Sequence, residues 1–284
     1  MDIQQARTFL AVVESGSFVD AAKRVNVTQS TVSMRIRALE EQLGKTLFQR
    51  SKAGASVTAA GAQFHKHALT IVRVWEQARH EVALPAGFTA GLTVGGQYSL
   101  CDGFLLAWLA RMHVKAPNVA IRMQVGFSDL LMQRLVNGTI DLGIMYTPQS
   151  RPGFEVEMLF EEELILVSSE ARPPNKPGKN YVYIDWGPEF QSDHSLNYPE
   201  LATPGIFLEL GSLGLKYLLD NPASGYVPRR LAERHLKAGS LKNVAQAPAF
   251  FYPVYAVYPT DAEPQLRKLV LKNLRETAAF QVKA

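Results

Sequence analysis

Cysteine is almost absent from this chain of 284 residues, which has a single thiol at Cys101. One cysteine cannot form an internal disulfide, so disulfide-rich secreted scaffolds are excluded and a reducing compartment is favoured. Long apolar runs are also absent, since no stretch of about 18 residues could cross a bilayer. Polar side chains at Asp2, Gln4 and Arg7 interrupt any secretory signal at the start. We therefore expect a cytoplasmic protein with no membrane partner.

The groupings that mark metal and cofactor chemistry are missing too. His65 and His67 are two residues apart and do not share a helix face, so they make a poor metal pair. Gly95-Gly96 lacks the spacing of a phosphate or dinucleotide loop. Cys101 has no resolving thiol in the chain, which favours a buried small side chain over a redox sensor. The sequence therefore predicts no metal, no cofactor and no enzymatic activity.

Charge is distributed unevenly along the chain. Residues 1–84 contain 11 Lys and Arg against 7 Asp and Glu, whereas the remaining residues contain 19 of each kind. All of the net charge of +4 therefore belongs to the N-terminal part. A local excess of positive charge favours contact with phosphates, and a neutral remainder suits a different task. The length allows two or three domains.

A helix-turn-helix pattern occupies residues 17–43. Apolar and small side chains recur at helical spacing over residues 18–25, and Thr28 is placed to cap a second helix. The apolar stripe of the second helix consists of Val32, Ile36, Leu39 and Leu43. A short helix with a polar and basic outer face fits the major groove of duplex DNA. The alternative is an ordinary corner of two helices with a solvated face.

The outer arc of this second helix and the segment after it supply the predicted DNA contacts. Residues 49–55 form a basic, glycine-containing stretch between Leu47-Phe48 and Val57, which is the pattern of a two-stranded wing. The predicted contact residues are Gln29, Ser30, Ser33, Met34, Arg35, Arg37, Arg50 and Lys52. We expect the glutamine and serines to help select bases, and the cations mainly to bind phosphates.

A long helix without proline is predicted from Thr58 to about Leu84. Its apolar residues alternate in steps of four and three, which is the pattern of a coiled-coil seam. The predicted dimerisation residues are Phe64, Ala68, Ile71, Trp75, Ala78 and Val82. The alternative is that the stripe covers the core of the N-terminal domain, but a domain of about 60 residues offers little surface for it. Pro85-Ala86-Gly87 ends the helix and predicts a hinge.

After residue 90 the pattern changes to alternating strands and helices, which predicts an α/β domain. Strands are predicted at residues 92–95, 119–125, 142–145, 164–167, 182–184 and 250–258. Helices are predicted around residues 105–112, from Ser128 to Gly138, from Ser212, from Pro228 to Ala238 and from Gln265 to Glu276. A second block of strands and helices is predicted to start near Glu161. The strand that begins at Phe250 is predicted to return from it to the first block, so that two lobes are joined by crossing strands.

Ligands of open α/β sheets bind beyond the carboxyl ends of the strands, and this places a candidate site. The predicted effector-binding residues are Tyr98, Ser99, Leu100, Phe127, Ser128, Tyr146, Thr147, Ser212 and Tyr226. Hydroxyls and N–H groups at helix starts favour a small anion or carboxylate. Because this set contains no arginine, a neutral or weakly charged ligand stays open. The alternative is that each serine only caps a helix.

The sequence resembles the LysR-type transcriptional regulators. The resemblance is carried by Ala21-Ala22, Thr28-Gln29-Ser30, Val32-Ser33, Ile36-Arg37, Leu39-Glu40, Leu43-Gly44, Leu47-Phe48 with Arg50, and Thr58 with Gly61. A looser likeness to one subgroup of the family lies in Ser99-Leu100 and in residues 186–190. The family resemblance extends over the whole chain but is specific only over about the first 60 residues. Within that part, many family members have Arg and Gln at the positions of Met34 and Arg35.

The resemblance implies an α/β protein with an all-α winged helix-turn-helix domain at residues 1–58. A linker and dimerisation helix with a hinge would follow at 59–87, and a two-lobed effector-binding domain similar to periplasmic binding proteins at 88–284. Lobe I would comprise about 91–160 and 256–284, and lobe II about 161–255. The implied partners are double-stranded DNA, a second copy in a dimer or tetramer, and a small-molecule effector.

Two functions of other classes compete with a ligand-gated regulator. One is an architectural DNA-binding protein without a ligand. The other is an enzyme or transport-type binding protein with a fused helical domain, which would need catalytic or export features that the sequence lacks. A metabolite that raises the thermal stability of residues 88–284 would discriminate between them.

Overall fold

The computed structural model describes residues 1–51, 54–173, 175–201, 203–209, 211–260 and 262–283, without the side chains of Arg50, His80, Glu81 and residues 281–283. The chain divides into two compact units. One comprises Met1–Ala86 with Val136–Thr139, and the other comprises Gly87–Leu135 with Ile140–Ala284. Within the described ranges, every helix is too short or too polar to cross a membrane.

The N-terminal unit is a small helical domain with a two-stranded wing. Its elements are α1 (Ile3–Ser15), α2 (Phe18–Arg24), α3 (Gln29–Leu43), β1 (Phe48–Ser51), β2 (Gly54–Val57) and α4 (Ala59–Val82). The sequence pattern did not predict α1. A capping box starts this helix, because Asp2 Oδ1 accepts the N–H of Gln5 at 2.7 Å and Gln5 Oε1 accepts the N–H of Asp2 at 2.9 Å. Gly16 ends it in the left-handed conformation.

Helices α2 and α3 form the predicted helix-turn-helix. Thr28 caps α3, since its hydroxyl accepts the N–H of Thr31 at 3.2 Å. Asn26 has a positive φ of 52°, a conformation that asparagine tolerates well, and it closes the turn between the two helices. Gly44 ends α3 at a φ of 64°. The wing pairs antiparallel from Phe48 opposite Val57.

Helix α4 contributes directly to the core of the N-terminal unit. Ala68 is fully buried against α1, and the Phe64 and Phe9 rings meet edge to face with centroids 5.0 Å apart. Ile71 also packs against this core. Ala68 is therefore an internal residue, which corrects the prediction for it, whereas Phe64 and Ile71 are half-buried and stay predicted contacts. The physical reason is α1, which supplies the surface that the stripe covers.

The second half of the seam is exposed in the N-terminal unit. Trp75 is 46% exposed and Val82 is 90% exposed, and Ala78 is also exposed. A large aromatic and a large aliphatic side chain on one exposed helix segment form an apolar stripe. This segment is the part of the seam that a second chain could still contact.

The start of α4 is locked to the wing by Thr58 and Gly61. The Thr58 hydroxyl accepts the N–H of Gly61 at 3.0 Å and donates to the carbonyl of Thr46 at 2.8 Å. A Cβ at Gly61 would lie 2.3 Å from the Leu47 carbonyl oxygen and 2.7 Å from Val57 Cγ1. Only glycine lets the helix approach this closely, which gives the Thr58 and Gly61 pattern a structural cause.

The C-terminal unit contains a large mixed sheet, a small parallel sheet and covering helices. Its strands are β3 (Ala90–Gly96), β4 (Val119–Val125), β5 (Leu142–Met145), β6 (Phe154–Ser168), β7 (Val182–Ile184), β8 (Ile206–Leu208), β9 (Ser224–Pro228), β10 (Lys242–Asn243) and β11 (Phe250–Pro259). Its helices are α5 (Tyr98–Leu100), α6 (Leu106–Lys115), α7 (Ser128–Val136), α8 (Pro188–Asn197), α9 (Ser212–Asp220), α10 (Arg229–Lys237) and α11 (Pro264–Lys283). The strands and helices predicted in this part are all present, whereas α8, β8, β9 and β10 were not predicted.

The large sheet has the strand order β10-β6-β11-β5-β3-β4, with β9 also paired to β6. Strand β3 runs parallel to β4 and β5, whereas β6 and β11 are antiparallel to each other. The pairing of β6 with β11 extends from Phe154 opposite Pro259 to Leu164 opposite Phe250, with a register shift between Val254 and Tyr255. These two long strands run from the first block of the unit into the second.

The core of this unit lies on both faces of the large sheet. The main cluster includes Trp108 on α6 and Phe104 in the turn before it, both fully buried, together with residues of α11. A second cluster beside α7 includes Leu131 and Leu135. The sheet is therefore covered on both faces, as expected for strands with continuous apolar runs.

We expect Gly61→Ala to destabilise the N-terminal unit by about 1–3 kcal/mol, because the added methyl must displace the Leu47 carbonyl or the α4 backbone. Hydrogen exchange of the amides in α4 and the wing would measure the loss. Gly205→Ala is the matched control, since no atom of the described residues lies within 4 Å of its added Cβ. Equal protection in the two variants would contradict the close packing at Gly61.

Candidate functional site

The outer arc of α3 is the candidate nucleic-acid surface of the N-terminal unit. Three fully buried side chains, Val32, Ile36 and Leu39, hold the helix against the core. The predicted contacts that are exposed are Gln29, Ser30, Met34 and Arg37, and those that are half-buried are Ser33 and Arg35. The arc is therefore polar at the start of the helix and basic one turn further on, as a groove-reading helix requires.

Arg35 differs from the other predicted contacts because part of its side chain is used inside the unit. Its Nη1 donates to Thr8 Oγ1 at 3.2 Å, and Thr8 on α1 is fully buried. Arg35 thereby joins α3 to α1. Met34 is 65% exposed, so the side chain next to Arg35 points to solvent. The side chain of Arg50 and all of Lys52 lie outside the described residues.

The wing is positioned by two contacts with the helices. Glu40 Oε1 accepts the N–H groups of Leu47 and Phe48 at 2.7 and 3.3 Å. The N–H of Ala55 donates to the carbonyl of Gly16 at 2.8 Å. The first strand is thus tied to α3 and the second to the end of α1, so the wing and the reading helix have a fixed geometry.

A cavity of about 320 Å³ is the candidate ligand site of the C-terminal unit. It is lined by Gln97, Tyr98, Ser99, Val125, Gly126, Phe127, Asp185, Trp186, Glu209 and Gly211. Three of the predicted effector residues, Tyr98, Ser99 and Phe127, are among them. The lining comes from the ends of β3, β4, β7 and β8 and from the start of α9, which is the region beyond the carboxyl ends of parallel strands.

Three further predicted residues form a hydrogen-bond network behind the cavity wall. Ser128 Oγ accepts the N–H of Thr147 at 3.4 Å and lies 3.2 Å from the Thr147 hydroxyl oxygen. The Tyr146 hydroxyl lies 2.8 Å from Ser99 Oγ, and burial raises the pKa of Tyr146, so the phenol stays neutral. These side chains set the positions of the lining residues without lining the cavity themselves.

Three other predicted effector residues do not line this cavity. Leu100 is fully buried in the main core. Tyr226 is also fully buried, and its hydroxyl contacts Tyr198 Oη and the Pro248 carbonyl at 2.9 Å each. Ser212 is half-buried at the start of α9, next to a lining glycine. The prediction placed residues by the strand that they follow, and the strand ends do not determine which side chains turn inward.

The lining residues that the prediction missed include both carboxylates and the one amide side chain. Gln97 directly follows β3, Asp185 directly follows β7, and Glu209 directly follows β8. Trp186 is almost fully buried and donates from Nε1 to the Tyr226 carbonyl at 2.7 Å. The sequence did contain a signal for the segment around Trp186, because residues 186–190 carried the likeness to a family subgroup.

Arg230 fixes the turn that holds the first lining residues. It pairs with Glu162 at 2.8 Å and also donates to the carbonyls of Ser99 and Asp102. The side chains of Arg230 and Glu162 are 5% and 2% exposed. A nearby thiol, Cys101, donates to the Gln97 carbonyl at 3.4 Å, and burial raises its pKa. The thiolate is therefore disfavoured, consistent with a packing role.

An aromatic cluster supports α8, the helix that starts beside Trp186. His194 on α8 stacks on Tyr181 with ring centroids 5.5 Å apart, and its Nε2 lies 2.8 Å from the Tyr181 hydroxyl. Phe190 and Tyr198 from the same helical segment pack on His194. His194 is 2% exposed, and burial lowers its pKa to about 4. The ring is therefore neutral near pH 7.

A winged helix-turn-helix with a polar and basic outer face, followed by a two-block α/β unit with a polar cavity, defines a transcriptional regulator with a separate sensing part. Residues 3–62 match the family model "Bacterial regulatory helix-turn-helix protein, lysR family", and residues 86–179 match the "LysR substrate binding domain". The chain belongs to the LysR family of transcriptional regulators.

Relatives and solved structures agree with this assignment along nearly the whole chain. The transcriptional regulator HdfR of Salmonella newport (strain SL254) is 30% identical over 262 residues, covering 91% of this chain and 92% of the relative. HdfR of Salmonella typhi matches equally well. This is the subgroup whose looser likeness the sequence indicated.

Two full-length structures show the same fold. ArgP from Mycobacterium tuberculosis is 21% identical, with a TM-score of 0.59 over 98% of this chain and 97% of that one. LysG from Corynebacterium glutamicum, solved with a bound effector Arg, is 17% identical, with a TM-score of 0.62 over 98% of both chains.

We expect the C-terminal unit to lose stability as the pH falls from about 6.5 towards 4, because protonation of His194 must then accompany unfolding. The folded pKa lies below the unfolded one, so the contribution is complete above about pH 6.5 and amounts to at most about 3 kcal/mol. Thermal unfolding across this range would measure the slope.

His194→Gln should flatten this pH dependence, because glutamine does not titrate there. His113→Gln, on the exposed end of α6, is the matched control and should keep the slope of the unchanged protein. A slope that survives in the His194 variant would show that another group causes the acid sensitivity.

Proposed function

We propose that this regulator binds duplex operator DNA sequence-specifically as a homo-oligomer and is gated by a small-molecule effector in the C-terminal cavity. The observation that carries the proposal is the exposed arc of α3 from Gln29 to Arg37, above the buried stripe that anchors the helix. Side chains of this chemistry at the start of a short helix meet base edges in a major groove.

The division of labour follows the charge and the structure. The N-terminal unit carries the positive excess, and α3 and the wing are held together by Glu40. Residues 1–58 are proposed as the DNA-binding domain, 59–87 as the linker helix and hinge, and 88–284 as the effector domain. The shift in register at Val254 and Tyr255 lies at the proposed boundary between the lobes. We also propose that the protein is cytoplasmic and has no enzymatic activity, which its membership of a family of transcriptional regulators supports.

Self-association is proposed to use the exposed end of the seam. Two-fold operators demand a symmetric dimer, and Trp75, Ala78 and Val82 give α4 an apolar stripe that is exposed within its unit. Val72 and Glu76 of the same helix are buried in the N-terminal unit, and Glu76 pairs with Arg7 of α1, so the stripe occupies the exposed side of α4. The family resemblance further suggests a tetramer.

The cavity supports the effector part of the proposal. Its volume of about 320 Å³ suits a small molecule, and its lining combines aromatic rings with a few polar groups. A ligand can act only through a difference in affinity between two arrangements of the protein, typically about 1–3 kcal/mol. Footprinting with and without a bound compound tests gating, and an unchanged footprint would favour a ligand-independent architectural protein.

We expect Trp75→Glu combined with Ala78→Glu to dissociate the oligomer, because two charges would be buried at the proposed contact. Sedimentation velocity measures the mass, and DNA affinity should fall with it. Thr70→Glu, an exposed position elsewhere on α4, is the control and should leave the mass unchanged. An unchanged mass in the double variant would exclude this segment as the interface.

Arg37→Ala should weaken operator and random DNA alike and lower the salt slope by about one unit, because an exposed cation acts on phosphates. Ser33→Ala should instead narrow the gap between operator and random DNA by about 1 kcal/mol. Fluorescence titrations at several salt concentrations measure both. A sequence-selective loss in the arginine variant would reverse the roles assigned to these two positions.

A further inference from the structure

Two buried polar atoms near the cavity have no hydrogen-bond partner among the described residues. They are Gln97 Nε2 and Glu189 Oε2. Gln97 is 1% exposed, and its Oε1 accepts the N–H of Tyr146 at 2.6 Å. Because a backbone N–H can only donate, this bond fixes the amide with Oε1 towards Tyr146 and leaves Nε2 free to donate. Buried polar groups of this kind are ordinarily satisfied, so each unpaired atom marks a missing partner.

Glu189 is held in a similar way through one oxygen only. Its Oε1 accepts a hydrogen bond from the Thr147 hydroxyl, which leaves Oε2 as an unpaired acceptor. The two unpaired atoms surround the same point beside Gly187. A Cβ on Gly187 would lie 3.1 Å from Glu189 Oε2, 3.6 Å from Gln97 Nε2 and 3.6 Å from Phe127 Cε1. One donor, one carboxylate oxygen and one aromatic edge therefore converge where the chain has no side chain.

The charge around this point is negative. Asp185 and Glu209 line the cavity, and Glu189 adds a third carboxylate beside it. None of the described lining residues is a lysine, arginine or histidine. Two guanidinium groups lie close by, but Arg230 donates to the Ser99 carbonyl and pairs with Glu162, and Arg134 donates to the Val125 carbonyl. Neither of them lines the cavity.

We propose that the cavity binds a small cationic ligand, with an ammonium or guanidinium group next to a carbonyl or carboxylate oxygen. The cation meets the carboxylates of Asp185, Glu189 and Glu209, and the neighbouring oxygen accepts from Gln97 Nε2. Phe127 presents its ring edge to this point and packs against the apolar part of the ligand. The inference rests on the proposed effector role of this cavity, and it replaces the anion that the serines and helix starts favoured.

An anionic ligand fails on the same observations. It would be repelled by the carboxylates of Asp185, Glu189 and Glu209 and would offer no donor to Glu189 Oε2. A simple amine would satisfy the carboxylates but leave Gln97 Nε2 unpaired. A ligand must therefore carry both a cation and an adjacent acceptor to satisfy the carboxylates and Gln97 Nε2 together, and a positive charge alone is not sufficient.

Matched probes on the full chain test the assignment by calorimetry and ligand-observed NMR. Glycinamide is the smallest cation with an adjacent carbonyl, and propionamide replaces its ammonium by a methyl. β-Alaninamide and butyramide form a longer pair of the same kind, and malonamate, which has a carboxylate in place of the ammonium of glycinamide, is the anionic probe. We expect the cation of each pair to bind about tenfold or more tightly than its neutral partner, and malonamate to bind most weakly.

Glu189→Gln keeps the shape of the side chain and removes its charge, so it should raise the dissociation constant of the cationic probes about tenfold. Glu161→Gln, an exposed carboxylate on β6 that does not line the cavity, is the matched control and should leave it unchanged. Circular dichroism and the melting temperature confirm that both variants fold.

Equal or tighter binding of the neutral or anionic probes would overturn the assignment, and so would no binding of either cation up to about 10 mM. An equal loss in the Glu189 and Glu161 variants would overturn it as well. These outcomes are distinct from failure of the proposed regulation. If cations bind as expected but the DNA footprint stays the same, the ligand class stands and the gating does not.

Discussion

The buried ion pair of Arg230 with Glu162 holds the sensing part of the molecule together. Removing one partner of such a pair leaves a charge in a site without water, which costs about 3–5 kcal/mol. Here the guanidinium does more than offset the carboxylate, because it also donates to the carbonyls of Ser99 and Asp102. The turn after β3 has irregular backbone at Asp102 and Gly103, so its carbonyls need donors from elsewhere in the fold. Arg230 on α10 supplies them.

This arrangement has a consequence for the lobes. Glu162 belongs to β6, Arg230 to α10, and Ser99 to the turn after β3, so one side chain joins the two blocks of the C-terminal unit. Strands β6 and β11 pass between the blocks as well, but strands can twist. The Nε–H of Arg230 is shared by both oxygens of Glu162 while its two Nη groups bond backbone carbonyls, and these buried bonds cannot be stretched without being lost. A movement of one block against the other must either pivot about Arg230 or break its bonds to the turn.

The sequence predicted most elements because their signals are local. Thr28, Gly44 and the apolar stripe from Val32 each act within one helix, and the boundaries of α3 follow from them. The helix α1 was missed, and that omission affected the interpretation of α4. Without α1 there was no surface in the N-terminal domain for Phe64, Ala68 and Ile71 to pack against, so all six seam residues were assigned to a partner chain. Whether a stripe faces its own domain depends on the surface available, which is a tertiary property.

The cavity shows the same limit in a different form. The ends of parallel strands point to the region of the cavity, since Tyr98, Ser99 and Phe127 follow such strands and line it. The anion predicted from the sequence rested on hydroxyls and helix starts alone and took no account of the carboxylates in the lining. Asp185 and Glu209 follow short strands of the second block, and β8 has no signal in the sequence strong enough to place Glu209.

Gln97 contributes a hydrogen-bond donor to the proposed site because its amide is oriented with Oε1 towards the N–H of Tyr146. This orientation depends on a tertiary contact that the sequence alone does not reveal. A serine or tyrosine next to a strand can therefore be located from sequence, but the sign of the charge that a ligand must carry depends on which carboxylates the fold brings beside it.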